Sequence, residues 1–153
     1  MPPVFRNDPY PAYNFEVVVN GISDDGTSVK GSFSEVSGLD TEVEVIEYRT
    51  GSERNRVRKL PGLTKTTNVT LKRGIIGDLT FWNWLVNTTQ GNVQRTDVAI
   101  ILLDENRTPV MRWNLTRAWP CKYTGPTLNA KNNEVAIESL EICYEALAIE
   151  GQV

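Results

Sequence analysis

The sequence predicts a mainly β protein, a sandwich or barrel of about seven strands with one α-helix. Three observations lead to this fold class. Short segments of alternating polar and apolar residues recur along most of the chain, polar turns separate them, and one segment has helical periodicity. At 153 residues, the chain is long enough for one domain with one hydrophobic core.

The first half of the chain contains four predicted strands. Residues 1–12 hold four prolines and are expected to form an extended arm, followed by a single domain over residues 13–153. An extended loop over residues 49–63 separates the third strand from the fourth, and Pro61-Gly62 is expected to close it. The four predicted strands are residues 14–20, 29–36, 41–48 and 65–73.

The fourth predicted strand has one apolar and one polar side. Val69 and Leu71 point one way, whereas the residues that alternate with them along the strand are polar. A strand of this kind packs on a core with one side and meets water with the other. The candidate residues of this water-facing wall are Thr66, Asn68, Thr70 and Lys72.

Residues 77–87 are the predicted helix. Asp78 has a side chain suited to an N-cap, and Gly91 is the expected stop. Apolar residues cover much of the helix surface, so the helix is expected to be covered on more than one side. The residues assigned to helix packing are Phe81, Trp82, Trp84 and Leu85.

Three strands are predicted in the second half, the first of them buried on both faces. Residues 120–131 are expected to be irregular. In the last strand the apolar phase slips between Ile137 and Leu140, which predicts a β-bulge near Ser139. The three predicted strands are residues 97–103, 110–119 and 134–146.

The composition excludes several kinds of active site. The chain has no histidine, which rules out a Ser-His-Asp triad, a Cys-His dyad and a histidine-ligated metal site. Asp24-Asp25-Gly26 lacks the spacing of an EF-hand calcium loop. Acidic residues at strand spacing favour a solvated face or a charged sheet edge over a catalytic pair. These acids are Glu42, Glu44, Glu47, Glu134, Glu138 and Glu141. We therefore expect no catalytic residue, no metal and no cofactor.

Cysteine usage and targeting signals indicate where the chain is made. No apolar run approaches the length of a membrane helix, and the Pro-rich N-terminus lacks a signal-peptide pattern. We expect synthesis in the cytoplasm and no direct membrane insertion. In a reducing compartment Cys121 and Cys143 are expected to be free thiols, although a disulfide between them stays open.

Residues 49–63 concentrate positive charge in a mildly acidic chain. The chain has 16 Lys and Arg against 19 Asp and Glu, a net charge of -3. Five basic residues lie in this loop: Arg49, Arg54, Arg56, Arg58 and Lys59. A dedicated nucleic-acid module is disfavoured, because residues 49–59 contain no aromatic to stack on a base and the sequence pI is about 5.1. A glycan platform is disfavoured because Trp82 and Trp84 point to opposite sides of the helix. A solvated loop remains an alternative.

Five stretches of sequence occur in a defined order: Phe33–Asp40 (FSEVSGLD), Ile46–Arg49 (IEYR), Arg58–Gly62 (RKLPG), Val69–Ile75 (VTLKRGI) and Phe81–Trp84 (FWNW). Together they resemble the inner tube proteins of contractile phage tails and contractile injection systems. The resemblance continues through Val110–Asn114, Trp119-Pro120 and Val135–Tyr144, and it extends over residues 13–147. The major tube proteins of extracellular-type, phage-tail-like particles look most similar.

The resemblance implies a structural protein without enzymatic activity. Family members fold as a β-sandwich or barrel with one helix, a fold shared by type VI secretion tube proteins. They form homohexameric rings around a lumen, and the rings stack into a hollow tube that sheath contraction drives through a target envelope. The implied partners are further copies of the chain, a sheath protein, baseplate and spike proteins, tube-terminating proteins and cargo effectors in the lumen. The particle is either released or anchored to a membrane.

Two other functions stay open from the sequence. One is a tube-initiating or baseplate paralogue of the same family. The other is a monomeric β-domain that binds nucleic acid or glycan. In family members the loop after the third strand reaches neighbouring subunits, so our hypothesis is that the basic residues contact acidic residues of another subunit. The candidate acidic partners are Asp24, Asp25, Glu42 and Glu44.

Overall fold

The computed structural model describes residues 8–20, 29–31, 33–51, 55–75, 79–131 and 133–151. Ten strands and one helix lie within these residues. They are β1 (Phe15–Val19), β2 (Val29–Gly31), β3 (Glu35–Ser37), β4 (Thr41–Tyr48), β5 (Arg58–Thr66), β6 (Val69–Gly74), α1 (Thr80–Thr89), β7 (Thr96–Leu103), β8 (Pro109–Thr124), β9 (Ile137–Cys143) and β10 (Ala146–Gly151). The mainly β fold class with one helix is confirmed, with more strands than the seven predicted.

The strands pair in antiparallel fashion into one large sheet and one separate hairpin. The order in the large sheet is β2-β1-β7-β8-β9-β6-β3, and β10 pairs with residues 111–116 of β8 outside this order. β4 and β5 form the two-stranded hairpin. The long strand β8 pairs with β7 through its first part and with β9 through its last part. The described strands of the large sheet do not close on themselves, so the fold is a sandwich and not a closed barrel.

The core lies between two parts of the large sheet and against the helix. One part contains β2, β1, β7, β10 and the first half of β8; the other contains the last part of β8 with β9, β6 and β3. Both parts contribute apolar residues that are almost fully buried, each of which stabilises the fold by about 1.5–3 kcal/mol. Consecutive residues of β7 are buried, which confirms the prediction of a strand covered on both faces. The core residues are Val17, Val19, Val69, Leu71, Phe81, Trp84, Val98, Ile100, Leu115, Ala118, Leu140 and Ile142.

A bulge at Arg117 lies where β8 changes partners. Opposite Asp97, β8 carries two residues, Thr116 and Arg117, where regular pairing would place one. Arg117 has a φ of 54°, in the left-handed region. Its backbone N–H donates to Asp97 Oδ1 at 3.3 Å, and its Nε lies 3.0 Å from Glu145 Oε2. Because a bulge bends a strand and increases its twist, this one lets β8 pass from one part of the sheet to the other.

The predicted bulge near Ser139 is wrong. Burial alternates regularly along β9, and every second residue from Glu138 to Ile142 is buried. The apparent slip in the sequence arises because Glu138, a charged residue, occupies the core side of the strand. The irregular register lies in the facing strand, between Pro120 and Lys122.

Two predicted boundaries also differ from the structure. Residues 120–124 were expected to be irregular but continue β8, where Pro120 is buried and pairs with Ile142. The single strand predicted over residues 134–146 is two strands, because the chain bends at Tyr144-Glu145 before β10. Residues 1–7 of the predicted arm lie outside the described residues, and the division into an arm and one domain stays a prediction.

The helix begins later than predicted and ends as expected. It starts at Thr80 with Leu79 at the N-cap position, whereas Asp78 lies outside the described residues. After Thr89 the chain reaches Gly91, whose φ of 91° is in a region that glycine adopts readily. No helix among the described residues has the length and apolar character needed to cross a membrane.

A buried ion pair connects the sheet to the helix. Arg73 on β6 and Glu138 on β9 are 3% and 7% exposed, and Arg73 Nε donates to Glu138 Oε1 at 2.6 Å. The Tyr123 hydroxyl donates to Glu138 Oε2 at 2.6 Å, and this hydrogen bond, with burial, raises the pKa of Tyr123. The Arg73 guanidinium lies 4.3 Å from the centre of the Phe81 ring on the helix. Each charged group therefore has partners within the core.

Candidate assembly surface

The hairpin of β4 and β5 stands apart from the sandwich. These strands pair with each other and with no other described strand, and nearly every residue in them is exposed. The predicted loop over residues 49–63 is therefore wrong in its second half. β5 begins at Arg58, and the connection between the strands covers residues 49–57. The hairpin is a long arm that carries the candidate basic residues at its tip.

Pro61 and Gly62 do not close a loop; they lie at a bulge inside β5. Val43 pairs with Thr64 and Val45 with Pro61, so two residues of β5 face the single Glu44. A proline is tolerated here because β5 is an edge strand. Gly62 has little room for a side chain, since an added Cβ would lie 3.0 Å from the Glu44 carbonyl oxygen.

Large apolar side chains are exposed along the hairpin. Ile46 pairs with Leu60, and successive side chains of a strand alternate between its two faces, so both faces carry apolar residues. An isolated two-stranded hairpin is marginal in water, and a large exposed apolar surface usually marks an interaction site. The exposed residues are Val43, Val45 (62%), Ile46, Tyr48, Leu60 and Leu63 (75%). Residues 41–48 were predicted as a strand, but its sequence pattern does not show which of its side chains stay exposed.

Four of the five candidate basic residues lie at the hairpin tip within the described residues. Arg49 and Arg56 lie in the connection, and Arg58 and Lys59 open β5; all four are exposed. Lys59 is directly opposite Glu47 in the register. Arg54 lies outside the described residues. The tip is thus a protruding basic surface.

The candidate acidic partners are in different situations. Glu44 forms an ion pair with Lys65 of the same hairpin, and Glu42 lies opposite Lys65 in the register. Asp24 and Asp25 lie outside the described residues. The charge of Glu44 is therefore compensated within the chain, and contacts of these acids with another subunit stay a prediction.

The predicted water-facing wall does not lie on one strand. Thr66 ends β5 and Asn68 belongs to the connection, so Thr70 and Lys72 alone share a face of β6. Lys72 Nζ lies 3.0 Å from Glu35 Oε2 on the neighbouring strand. The pattern misled because the side-chain alternation continued through the two residues that separate β5 from β6.

The helix leaves part of its apolar surface in solvent. Phe81 and Trp84 are buried and Leu85 is half-buried. Trp84 Nε1 donates to the Gln94 carbonyl at 2.8 Å. Trp82 packs edge-on against the Tyr123 ring at 5.4 Å but is still 46% exposed. The expected coverage on more than one side is thus incomplete.

The described residues form no recognisable metal site or catalytic pair of carboxylates. They contain no group of three or more Cys, Asp and Glu side chains placed to hold a metal ion. Among the candidate acids, Glu138 is committed to the buried pair with Arg73. A groove of about 270 Å³ lies between residues 126–129 and 134–137, with Glu134 in its lining. The hairpin is the most prominent surface.

Comparison with known proteins identifies the family. The family described as T4-like virus tail tube protein gp19 matches residues 11–148, which is most of the chain. This chain belongs to the tail tube protein family. It is a structural tube subunit, as the resemblance of its sequence implied. Among proteins with curated descriptions, none is a significant match.

Solved structures agree with this tail tube assignment. A chain of the PVC sheath-tube complex, an extracellular contractile injection system in its extended state, is 30% identical with a TM-score of 0.82. The match covers 95% of this chain and 93% of that chain. A chain of the anti-feeding prophage baseplate is 27% identical with a TM-score of 0.85, over 95% and 98% of the two chains.

A more distant likeness concerns the fold alone. Hcp1 from Flavobacterium johnsoniae is 15% identical with a TM-score of 0.56, and the match covers 91% of this chain and 96% of that chain. The tail tube protein therefore has the fold of Hcp proteins, as the sequence resemblance implied.

Proposed function

We propose that this tail tube protein forms hexameric rings that stack into the hollow inner tube of a contractile injection particle. The observation that carries the proposal is the hairpin of β4 and β5, whose large apolar side chains are exposed in the single chain. In a ring, each copy uses one surface to contact a different surface of the next copy. Such a contact closes after a fixed number of copies, and rings that stack in the same sense extend into a filament.

The apolar side chains of the hairpin supply the stabilisation for subunit contact. Each side chain that passes from half exposed to buried contributes roughly 1 kcal/mol. Six such residues on one hairpin therefore contribute on the order of 6 kcal/mol per copy. In a closed ring each copy has two neighbours, so a modest contact is repeated around the ring and between rings.

The basic tip directs the hairpin to its place. Arg49, Arg56, Arg58 and Lys59 protrude from a chain whose net charge is -3. Charged groups at an interface mainly set the approach and the register of the partners. We propose that the tip contacts an acidic surface of an adjacent copy, with Asp24, Asp25, Glu42 and Glu44 as candidate partners.

The other components of the particle follow from the relatives. The similar structures include a sheath-tube complex, a baseplate and a tube-terminating cap. We propose a sheath protein, baseplate and spike proteins and a terminator as partners of this chain. Cargo effectors in the lumen, and a particle that is released or membrane-anchored, belong to the same proposal. No catalytic step is assigned.

Substitutions that remove apolar surface from the hairpin test the proposal. In Val45→Thr combined with Leu63→Thr, β-branched polar residues keep a high strand propensity but lose apolar area. We expect this double variant to remain a folded monomer where the wild type forms rings or tubes. Size-exclusion chromatography with light scattering and negative-stain electron microscopy measure assembly, and near-ultraviolet circular dichroism checks the fold.

The matched control removes equally exposed apolar residues elsewhere. Leu128 and Val135 are 82% and 78% exposed and lie outside the hairpin. Leu128→Thr combined with Val135→Thr is expected to assemble as the wild type does. Equal assembly by all three proteins would contradict a role of the hairpin.

A second function within the family is favoured by one observation. The match to a chain of the baseplate structure, with a TM-score of 0.85, is as good as the match to the sheath-tube complex. A tube initiator would form single rings without extending them. Electron microscopy of the wild type distinguishes single rings from long tubes.

A further inference from the structure

Two free cysteines lie on the paired strands β8 and β9. Cys121 is in β8 and Cys143 ends β9, and both are half-buried thiols. In the register, Cys143 lies opposite Trp119, two residues from Cys121. This side of β9 faces away from the core, since Leu140 and Ile142 point inward.

The register shift in β8 moves Cys121 toward the end of β9 that carries Cys143. Pro120 pairs with Ile142 and Lys122 pairs with Glu141, so Cys121 is an extra residue without a directly paired partner. The Cys121 thiol donates to the Glu141 carbonyl oxygen at 3.3 Å. The bulge interrupts the pairing of β8 with β9 and leaves Cys121 between the residues that pair with Ile142 and Glu141, one position closer to Cys143 than Lys122 is.

Burial and polar neighbours lower the reactivity of the Cys121 thiol. Asn68 Nδ2 lies 3.7 Å from Cys121 Sγ and donates to Glu141 Oε1 at 2.9 Å. Burial raises the pKa of Cys121 to about 12, and the neighbouring Cys143 thiol adds to the shift. Since the thiolate is the attacking species, Cys121 is a poor first nucleophile at neutral pH.

We infer that Cys121 and Cys143 form an intramolecular disulfide when the tube protein meets an oxidising medium, and that this bond fixes the bulged seam between β8 and β9. The two residues enclose a short loop of chain, and closing a loop restricts the unfolded state. The folded protein therefore becomes more resistant to unfolding after oxidation. The disulfide is expected to form after folding, because folding brings the β8 and β9 segments that carry the two cysteines together.

The oxidation is balanced with glutathione disulfide as the oxidant. The Cys143 thiolate attacks one sulfur of glutathione disulfide, the S–S bond breaks, and one glutathione leaves as a thiolate that takes up a proton. Cys121 then loses its proton to solvent, and its sulfur attacks the Cys143 sulfur and displaces the second glutathione. Two protein thiols are oxidised, and one glutathione disulfide is reduced to two glutathione molecules.

Redox titration of the whole chain tests the inference. The protein is equilibrated in buffers of reduced and oxidised glutathione, quenched with acid, alkylated with iodoacetamide under denaturing conditions and weighed by mass spectrometry. We expect one transition from the doubly alkylated form to a monomer that lacks two hydrogen atoms and takes up no alkyl group. The oxidised protein is also expected to melt at a temperature several degrees higher than the reduced protein.

Single variants identify the order of the steps. Cys121→Ser is expected to stop at a mixed disulfide between Cys143 and glutathione, and Cys143→Ser is expected to react much more slowly. Persistent glutathione adducts on both cysteines of the wild type, disulfide-linked dimers, or two alkylated thiols at the oxidising limit would each overturn the inference. The wild-type titration and melting do not depend on the folding of either variant, and they require no assembly of tubes.

Discussion

Arg117 adopts a left-handed backbone conformation that is unfavourable for residues with a Cβ atom. Its φ of 54° lies at the bulge where β8 passes from β7 to β9. A residue with a Cβ costs about 1–2 kcal/mol in this conformation, whereas glycine adopts it freely. The ion pair with Glu145 is largely exposed and contributes little to stability. The bend in β8 is therefore held by the surrounding sheet and not by the preference of its own residue.

Replacing Arg117 by glycine is expected to stabilise the reduced monomer relative to alanine. Both variants lose the ion pair with Glu145, so Arg117→Ala is the matched control. We expect Arg117→Gly to unfold with a free energy about 1 kcal/mol higher than Arg117→Ala, measured by urea denaturation. Equal stability of the two variants would show that the bend is not strained at this residue.

The pair of Arg73 and Glu138 is the second feature at the residue scale. Glu138→Gln would remove the negative charge that pairs with Arg73 in the core, and we expect a loss of about 3–5 kcal/mol in the free energy of unfolding. Replacing both residues, as Arg73→Met with Glu138→Leu, is expected to recover much of that loss. A double variant as unstable as the single one would argue that packing, and not the loss of the Glu138 charge beside Arg73, causes the effect.

At the scale of elements, sequence periodicity predicts some parts of this fold well. The helix was located because Phe81, Trp84 and Leu85 have helical spacing, and β7 because its apolar run is short and rich in β-branched residues. The errors have physical causes. Glu138 is buried by pairing with Arg73, a partner 65 residues away that no local pattern shows. The first part of β5, residues 58–63, is predicted as a loop because proline and glycine usually mark turns, whereas an edge strand tolerates both at a bulge.

Gly62 is expected to determine the shape of the hairpin. An alanine Cβ would lie 3.0 Å from the Glu44 carbonyl oxygen and 3.1 Å from Ile46 Cγ1. We expect Gly62→Ala to destabilise the hairpin by about 1–3 kcal/mol, so that hydrogen exchange of β4 and β5 amides becomes at least about fivefold faster while core amides of β7 are unchanged.

Gly51→Ala is the control for this substitution. Gly51 lies in the same hairpin connection, and an added Cβ there meets nothing within 4 Å. Hairpin exchange is expected to stay at the wild-type rate in this variant. If the two glycine variants exchange alike, the close contact at Gly62 does not matter for the hairpin.

At the scale of the whole molecule, the chain combines a well-buried apolar core with a surface that exposes large apolar side chains. The sandwich buries its apolar residues between two parts of one sheet, whereas the hairpin and Trp82 leave large apolar side chains in solvent. The family could be recognised from ordered sequence stretches, and the match over residues 11–148 bears this out. The exposed apolar hairpin could not be found that way, because exposure depends on which strands pair and β4 pairs with β5 alone among the described strands.

A cryo-electron microscopy reconstruction of the assembled wild-type protein tests most directly whether the hairpin makes the subunit contacts of the tube. We expect rings of six copies stacked into a tube, with Val45, Ile46 and Leu63 of each hairpin buried against a neighbouring copy and the basic tip beside acidic residues. Rings or tubes in which the hairpins project into solvent, with other surfaces making the subunit contacts, would contradict it.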